Sequence, residues 1–203
     1  WERKVEATEP GKVAILVYTS GTTGPPKGAM ISHDNIVFQM ANNQDLLPYE
    51  PSDRTLAFLP LCHIAERTFT TFNQLVAGQT VNFAENFDTV PENLQEVQPT
   101  SFFAVPRIWE KFYSTITIMV KDATPVQRLA DKLALSIGHK VADKKIAEQR
   151  VPAVLATLYF VADLAVLSNI RKMIGVDDCK FCLSGAAPVS PELIRWYWAI
   201  GLY

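Results

Sequence analysis

Short apolar runs alternate with segments of helical spacing through the first half of the chain. Residues 12–19 (KVAILVYT) are apolar and β-branched and predict a buried strand. A loop rich in Gly, Thr, Pro and Ser follows over 20–28, and 29–32 is a second short apolar piece. Ser32, Asp34 or Asn35 can cap a helix that runs to about Leu47 and ends before Pro48 and Pro51. Strands are predicted at 55–59, 80–83 and 101–105, the last stopped by Pro106. Helices are predicted at 64–76, closed by Gly78, and at 90–97. From Arg107 to Ile174 the pattern turns helical, with Pro125 and Pro152 where helices start. A strand returns at 180–183, and Ser190-Pro191-Glu192 opens a last helix with Ser190 as cap. This alternation predicts an α/β fold with a largely parallel sheet and a helical stretch at 107–174.

One segment needs its own decision. Between Arg150 and Arg171 lie 20 residues with a single charge, Asp163. Length and apolarity approach those of a membrane span. Against a span stand Asp163 at the centre, Pro152 near the start and Ser168-Asn169 near the end. A charge at mid-bilayer costs about 2.5–3.5 kcal/mol on insertion scales. Residues 151–170 are therefore read as a buried helix, with Asp163 reaching a polar partner or the surface. Leu129, Leu133, Ile137 and Val141 have helical spacing and read as core, as do Trp109, Trp196 and Trp198 as core or interface aromatics.

Composition narrows the function classes. Of 203 residues, 48% are apolar and 20% charged, as in a globular protein, which excludes a disordered tail, a collagen-like fibre and a coiled coil. The net charge is -2, so no nucleic-acid partner is expected to be gripped through phosphate neutralisation. Three cysteines (Cys62, Cys179, Cys182) make no disulfide framework; they are expected to be buried, in a reducing cytoplasmic compartment. Cys179-x-x-Cys182 lacks a second ligand pair, and no ligand spacing links His63 to His33 or His139. The chain begins at Trp1 and stops just after an amphipathic run at Tyr203, so both ends are read as truncations.

The chemistry concentrates in Tyr18-Thr19-Ser20-Gly21-Thr22-Thr23-Gly24-Pro25-Pro26-Lys27-Gly28. Glycines let backbone N–H groups approach a phosphate closely. Hydroxyls donate to phosphate oxygens or ligate Mg²⁺, and Lys27 brings a mobile positive charge. A surface turn would use Gly and Thr too, but seldom with this density of hydroxyls and a lysine. The spacing is not that of a Walker A loop: counted from Gly21, its second glycine falls on Pro26, and Gly28 follows Lys27.

Tyr18–Gly28 resembles the phosphate-loop signature of the adenylate-forming superfamily. Three further stretches fall in that family's order: Leu59-Pro60-Leu61-Cys62-His63-Ile64-Ala65-Glu66-Arg67 is similar to its acyl-site motif, Val105-Pro106-Arg107-Ile108-Trp109-Glu110-Lys111 to a long-chain signature, and Ser184-Gly185-Ala186-Ala187-Pro188 to the adenine-flanking motif. Leu59–Arg67 and Val105–Lys111 narrow the resemblance to long-chain or very-long-chain acyl-CoA synthetases of the bubblegum-like branch.

That resemblance implies activation of a long-chain fatty acid by ATP through acyl-AMP to acyl-CoA. It implies phosphate contacts from Thr19, Ser20, Gly21, Thr22, Thr23, Gly24 and Lys27, with Thr19 also at Mg²⁺. It implies a catalytic part for Lys27 and His63, and adenine contacts from Ser184, Gly185, Ala186, Ala187 and Pro188. Read from the residues alone, His63 could equally be a core or capping histidine, and Gly185-Ala186-Ala187 a tight strand-to-helix turn. Arg67 stands where some relatives carry an aromatic gate. ATP, Mg²⁺ and coenzyme A are the implied cofactors and co-substrates. The implied organisation is a partial AMP-binding domain over 1–203, without the small C-terminal domain. Two rivals remain: a fatty acyl-AMP ligase that loads a carrier protein, and a membrane-anchored nucleotide-binding protein held by 151–170. Peripheral membrane association is a further expectation.

Overall fold

The computed structural model describes residues 2–19 and 25–203. It divides into two compact units, Trp1–Phe87 and Asp88–Tyr203. In the first, α1 (Glu2–Glu6) precedes β1 (Val13–Thr19), which pairs antiparallel with β2 (Lys27–Ser32). Neither strand buries a residue, and Tyr18 and Met30 are 68% and 72% exposed. The expectation of a buried strand at 12–19 is thus corrected: a two-stranded ribbon has no second layer to shield a face. Ser32 caps α2 (His33–Leu46) in a reciprocal capping box with Asn35.

β3 (Arg54–Ala57) and β4 (Thr80–Phe83) pair in parallel, as the alternating pattern predicts. Between them the predicted helix forms in three pieces, α3 (Ile64–Glu66), a π-helical turn (Arg67–Phe72) and α4 (Asn73–Ala77), closed by Gly78 in the left-handed region at φ 73°. The Thr70 hydroxyl donates to the Glu66 carbonyl at 2.6 Å inside that turn. Such back-bonding competes with the helical ladder and accompanies its distortion.

The second unit opens with α5 (Val90–Val97) and β5 (Ser101–Ala104), which pairs in parallel with β6 (Phe181–Ser184). Between these strands run α6 (Pro106–Asp122), α7 (Pro125–Ile146) and a continuous helix of 22 residues, Ala153–Ile174. That helix comprises α8 (Ala153–Ala162), a π turn (Asp163–Leu167) and α9 (Ser168–Ile174); α10 (Pro191–Ala199) follows β6. The fold class and the helical stretch agree with the sequence pattern. Phe102, Trp109, Phe112 and Tyr197 form an edge-to-face aromatic core beneath the β5–β6 pair. Trp196 is buried with them, whereas Trp198 stacks edge-on against Tyr203 and stays half-buried.

Two expectations about helix faces are corrected. Leu129 and Leu133 are 59% and 57% exposed; the core-facing stripe of α7 is Ala134, Gly138, Val141 and Ala142. The reason is close approach: a Cβ on Gly138 would stand 2.3 Å from the Ala199 carbonyl oxygen of α10. Small residues must occupy that seam, so the leucines turn outward. Likewise 151–170 is helical but not buried, with Val154 and Leu164 more than 70% exposed. Asp163 does find its partner. The Arg171 guanidinium donates to both its carboxylate oxygens at 2.5 and 3.2 Å, to Asp177 at 2.7 Å and to the Ile200 carbonyl at 2.7 Å.

Gly138→Val should cost about 1–3 kcal/mol, because the branched side chain must push α7 off α10. Urea unfolding reads this directly; an unchanged midpoint would mean that the seam relaxes freely.

Candidate functional site

The hydroxyl- and glycine-rich loop is held at its two ends. The β1–β2 ladder pairs Thr19 with Lys27, and the Thr19 hydroxyl lies 3.5 Å from the Lys27 carbonyl oxygen. Both residues are exposed. Ser20, Gly21, Thr22, Thr23 and Gly24 lie outside the described residues. Thr19 and Lys27 are thus brought together although eight positions apart, at the open end of an antiparallel ribbon.

His63 is a helix cap here. Its Nδ1 accepts the Ala65 N–H at 3.1 Å at the start of α3, and the ring is exposed. Acceptance at Nδ1 places the proton of the neutral imidazole on Nε2, which becomes a donor. Of the two sequence readings, the capping one is therefore present, and it also orients the ring. The expected burial of the cysteines is corrected: Cys62 beside it is exposed, Cys179 and Cys182 are half-buried, and all three are free thiols. Arg67 donates from Nε to the Leu61 carbonyl at 2.7 Å and so braces the same loop.

Sequence reasoning missed the residue that holds this loop from inside. Glu66 is 4% exposed, and its carboxylate accepts the Leu59 N–H at 2.9 Å. Burial pushes its pKa above the ordinary carboxylate value, outweighing hydrogen bonds that favour the anion. The signal was available: the one acid of the Leu59–Arg67 motif, one helical turn from His63.

In the second unit, β6 ends at Ser184 and the chain turns through 185–188 into α10, whose first turn is capped by the Ser190 hydroxyl accepting from Leu193 N–H at 3.1 Å. Ser184, Ala186, Ala187 and Pro188 are exposed and form a shelf of small side chains. Ala186 has φ +69°, unusual for a residue with a Cβ, and Gly185 is small because a Cβ would meet the Phe103 ring at 3.1 Å. Trp109 of the long-chain signature donates from Nε1 to the Leu183 carbonyl at 3.3 Å, and Tyr197 donates to the Trp109 carbonyl at 2.7 Å. The shelf is therefore pinned from α6 and α10 together. A cavity of about 220 Å³ lined by Trp109, Leu183, Ser184, Leu193, Tyr197 and Trp198 adjoins it. The loop ends and His63 lie in one unit and the shelf in the other. Among the described residues no cluster of three His, Cys, Asp or Glu side chains could cage a metal.

The α/β architecture is that of the N-terminal domains of adenylate-forming enzymes. An O-succinylbenzoate coenzyme A synthetase (MenE) from Bacillus subtilis, solved with AMP, superposes with a TM-score of 0.58 over 96% of this chain and 29% of its own, at 20% identity. The sequence profile of the AMP-binding enzymes matches residues 1–202, and the chain belongs to that family. It is 34% identical over its whole length to fadD11 of Mycobacterium tuberculosis, which bears a provisional fatty-acid–CoA ligase name, and covers 36% of that protein. It is 33% identical to the long-chain-fatty-acid–CoA ligase ACSBG2 of Rattus norvegicus, over 99% of this chain and 31% of the relative. The chain thus spans about a third of the length of these relatives.

A raised folded-state pKa at Glu66 means that its contribution to stability is full below the ordinary carboxylate pKa and is lost as pH rises through the folded value. Relative to Glu66→Gln, the native protein should gain stability as pH falls from about 7 towards 5. Parallel urea curves for the two proteins at each pH would show that Glu66 is not desolvated.

Proposed function

We propose that this chain forms part of an enzyme that activates long-chain fatty acids with ATP, through acyl-AMP to acyl-CoA. The observation that carries this reading is the pairing of Thr19 with Lys27 at the two ends of the hydroxyl- and glycine-rich loop. In this reading the triphosphate of ATP is held at that end of the ribbon, near a lysine and a threonine that are neighbours across the ladder. The names of the curated relatives, fatty-acid–CoA ligases, support the substrate class.

In this reading a fatty carboxylate oxygen attacks the α-phosphorus of ATP and pyrophosphate leaves. The thiolate of coenzyme A then attacks the acyl carbon and AMP leaves. Catalysis of this kind rests on positioning and on charge placed where charge develops. Lys27, with Thr19, Ser20, Gly21, Thr22, Thr23 and Gly24, holds the phosphates and the departing pyrophosphate. His63, its Nε2–H set by the cap at Nδ1, donates to oxygen at the acyl–adenylate junction. Ser184, Ala186, Ala187 and Pro188, which are exposed, and the half-buried Gly185 among them meet the adenine.

Mg²⁺ fits as a metal carried by the nucleotide. Thr19 offers one neutral oxygen, suited to a hard cation, and no acidic cage stands among the described residues. When bound, the ion would neutralise phosphate charge, with Thr19 as its protein ligand. A fatty acyl-AMP ligase would share the first step and differ only in the acceptor, a carrier protein in place of coenzyme A.

In the full protein that carries this sequence, Lys27→Ala should slow fatty-acid-dependent exchange of labelled pyrophosphate into ATP by about 10²–10³-fold, the loss typical of one preorganised charge contact. Its exposed position predicts unchanged thermal unfolding. Exchange at the native rate would reduce the loop to a surface turn.

A further inference from the structure

The second unit carries an open groove between α6, α7 and α10 that the proposed reaction does not use, with a volume of about 580 Å³. That size is ordinary for a small-molecule site, about 300–1,000 Å³. Cations dominate its wall, although the chain as a whole has a net charge of -2. Arg128, Lys132 and Lys140 line it from α7 and Arg195 from α10, and the one acid among the described residues that line it is Asp143. That acid is already taken: Arg195 donates to both its oxygens, from Nε at 2.5 Å and from Nη2 at 2.8 Å. Lys132 and Lys140 are exposed and make no hydrogen bond or ion pair among the described residues. Arg128 donates to the Lys121 carbonyl at a long 3.4 Å. His139 lines the same groove, half-buried, and its Nδ1 has no partner among the described residues. Burial, and then the Arg195 charge, hold its pKa below the ordinary histidine value, so the ring is neutral at pH 7.

We propose that this groove binds a soluble small molecule that carries a chain of adjacent phosphate groups. Like charges gathered without counter-charges repel one another, and a bound anion relieves that repulsion. Arg128, Lys132, Ser136 and Lys140 recur every four residues, so the cations extend along about 18 Å of α7. One phosphate meets only part of that row, whereas linked phosphates meet several cations at once. Guanidinium and ammonium groups are strong phosphate donors, and the Ser136 hydroxyl and the His139 imidazole add neutral polar groups for the remaining oxygens. The Asp143–Arg195 pair ties α7 to α10, so the two walls hold their spacing before a ligand arrives. The inference stands independently of the reaction proposed above.

Titration calorimetry of the full protein with inorganic tripolyphosphate, in buffer without Mg²⁺, tests it. Lys27→Ala serves as the background, because it removes the phosphate contact proposed for the β1–β2 ribbon. In that background tripolyphosphate should still bind, and sulfate at equal ionic strength should bind at least about tenfold more weakly. Adding Lys132→Glu with Lys140→Glu should weaken tripolyphosphate binding at least about tenfold. Lys132→Gln with Lys140→Gln is the milder pair and should weaken it by a smaller factor. Both lysines are exposed, so circular dichroism and melting without ligand should be unchanged. With Lys27 restored, the charge-reversed pair should leave KM for ATP and for coenzyme A at the native values. Tripolyphosphate binding that ignores the lysine pair would overturn the proposal. So would equal affinity for sulfate, which marks diffuse surface charge, or a raised KM for ATP or coenzyme A, which makes the groove part of a substrate's own site. The calorimetry needs no turnover, so a failure of the proposed reaction leaves this test intact.

Discussion

Arg171 is the interaction on which the second unit's helical layer depends. Its guanidinium joins Asp163 in the middle of one helix, Asp177 beyond that helix and the Ile200 carbonyl at the end of α10. Its side chain is only 13% exposed, so the pair sits largely away from water. Removing one partner would leave a buried charge, which costs far more than the pair itself contributes. Gly201, at φ +93°, lets the chain pass over this centre, since a Cβ there would meet Arg171 Nη1 at 2.9 Å. The same pair occupies Asp163, the single charge between Arg150 and Arg171.

Two of the candidate elements share a construction: exposed groups held by buried anchors. Glu66 holds the Leu59 N–H from inside while His63 caps α3 outside. Trp109 pins the Leu183 carbonyl of β6, and Tyr197 the Trp109 carbonyl in the first turn of α6, while Ala186 and Ala187 stay exposed. Such anchoring fixes a loop without spending the side chains that meet a substrate. In the β1–β2 ribbon the anchor is the ladder itself, which sets Thr19 against Lys27 without any buried residue.

Local signals were legible in the sequence where they are self-contained. The Ser32 and Ser190 caps, the Gly78 stop and the helix at Val90–Val97 need only neighbours a few residues away. The strand–turn–helix at Ser184–Pro191 and the four family motifs were legible for the same reason. What the sequence hid depends on partners distant in the chain. The outward turn of Leu129 and Leu133 follows from Gly138 meeting Ala199, and periodicity alone cannot tell a core face from its neighbour one residue away. The exposure of Val154 and Leu164 was hidden because apolarity predicts burial only when another layer arrives to cover it. The buried strand expected at 12–19 failed on the same ground.

The central claim is that a fatty carboxylate oxygen attacks the α-phosphorus of ATP. Long-chain fatty acid labelled with oxygen-18 in its carboxylate tests this most directly, with the full protein, ATP and coenzyme A, and mass analysis of the nucleotide product. The account predicts AMP carrying one labelled oxygen, because the bridging oxygen of acyl-AMP leaves with the phosphate. Unlabelled AMP, or label found in inorganic phosphate beside ADP, would contradict it.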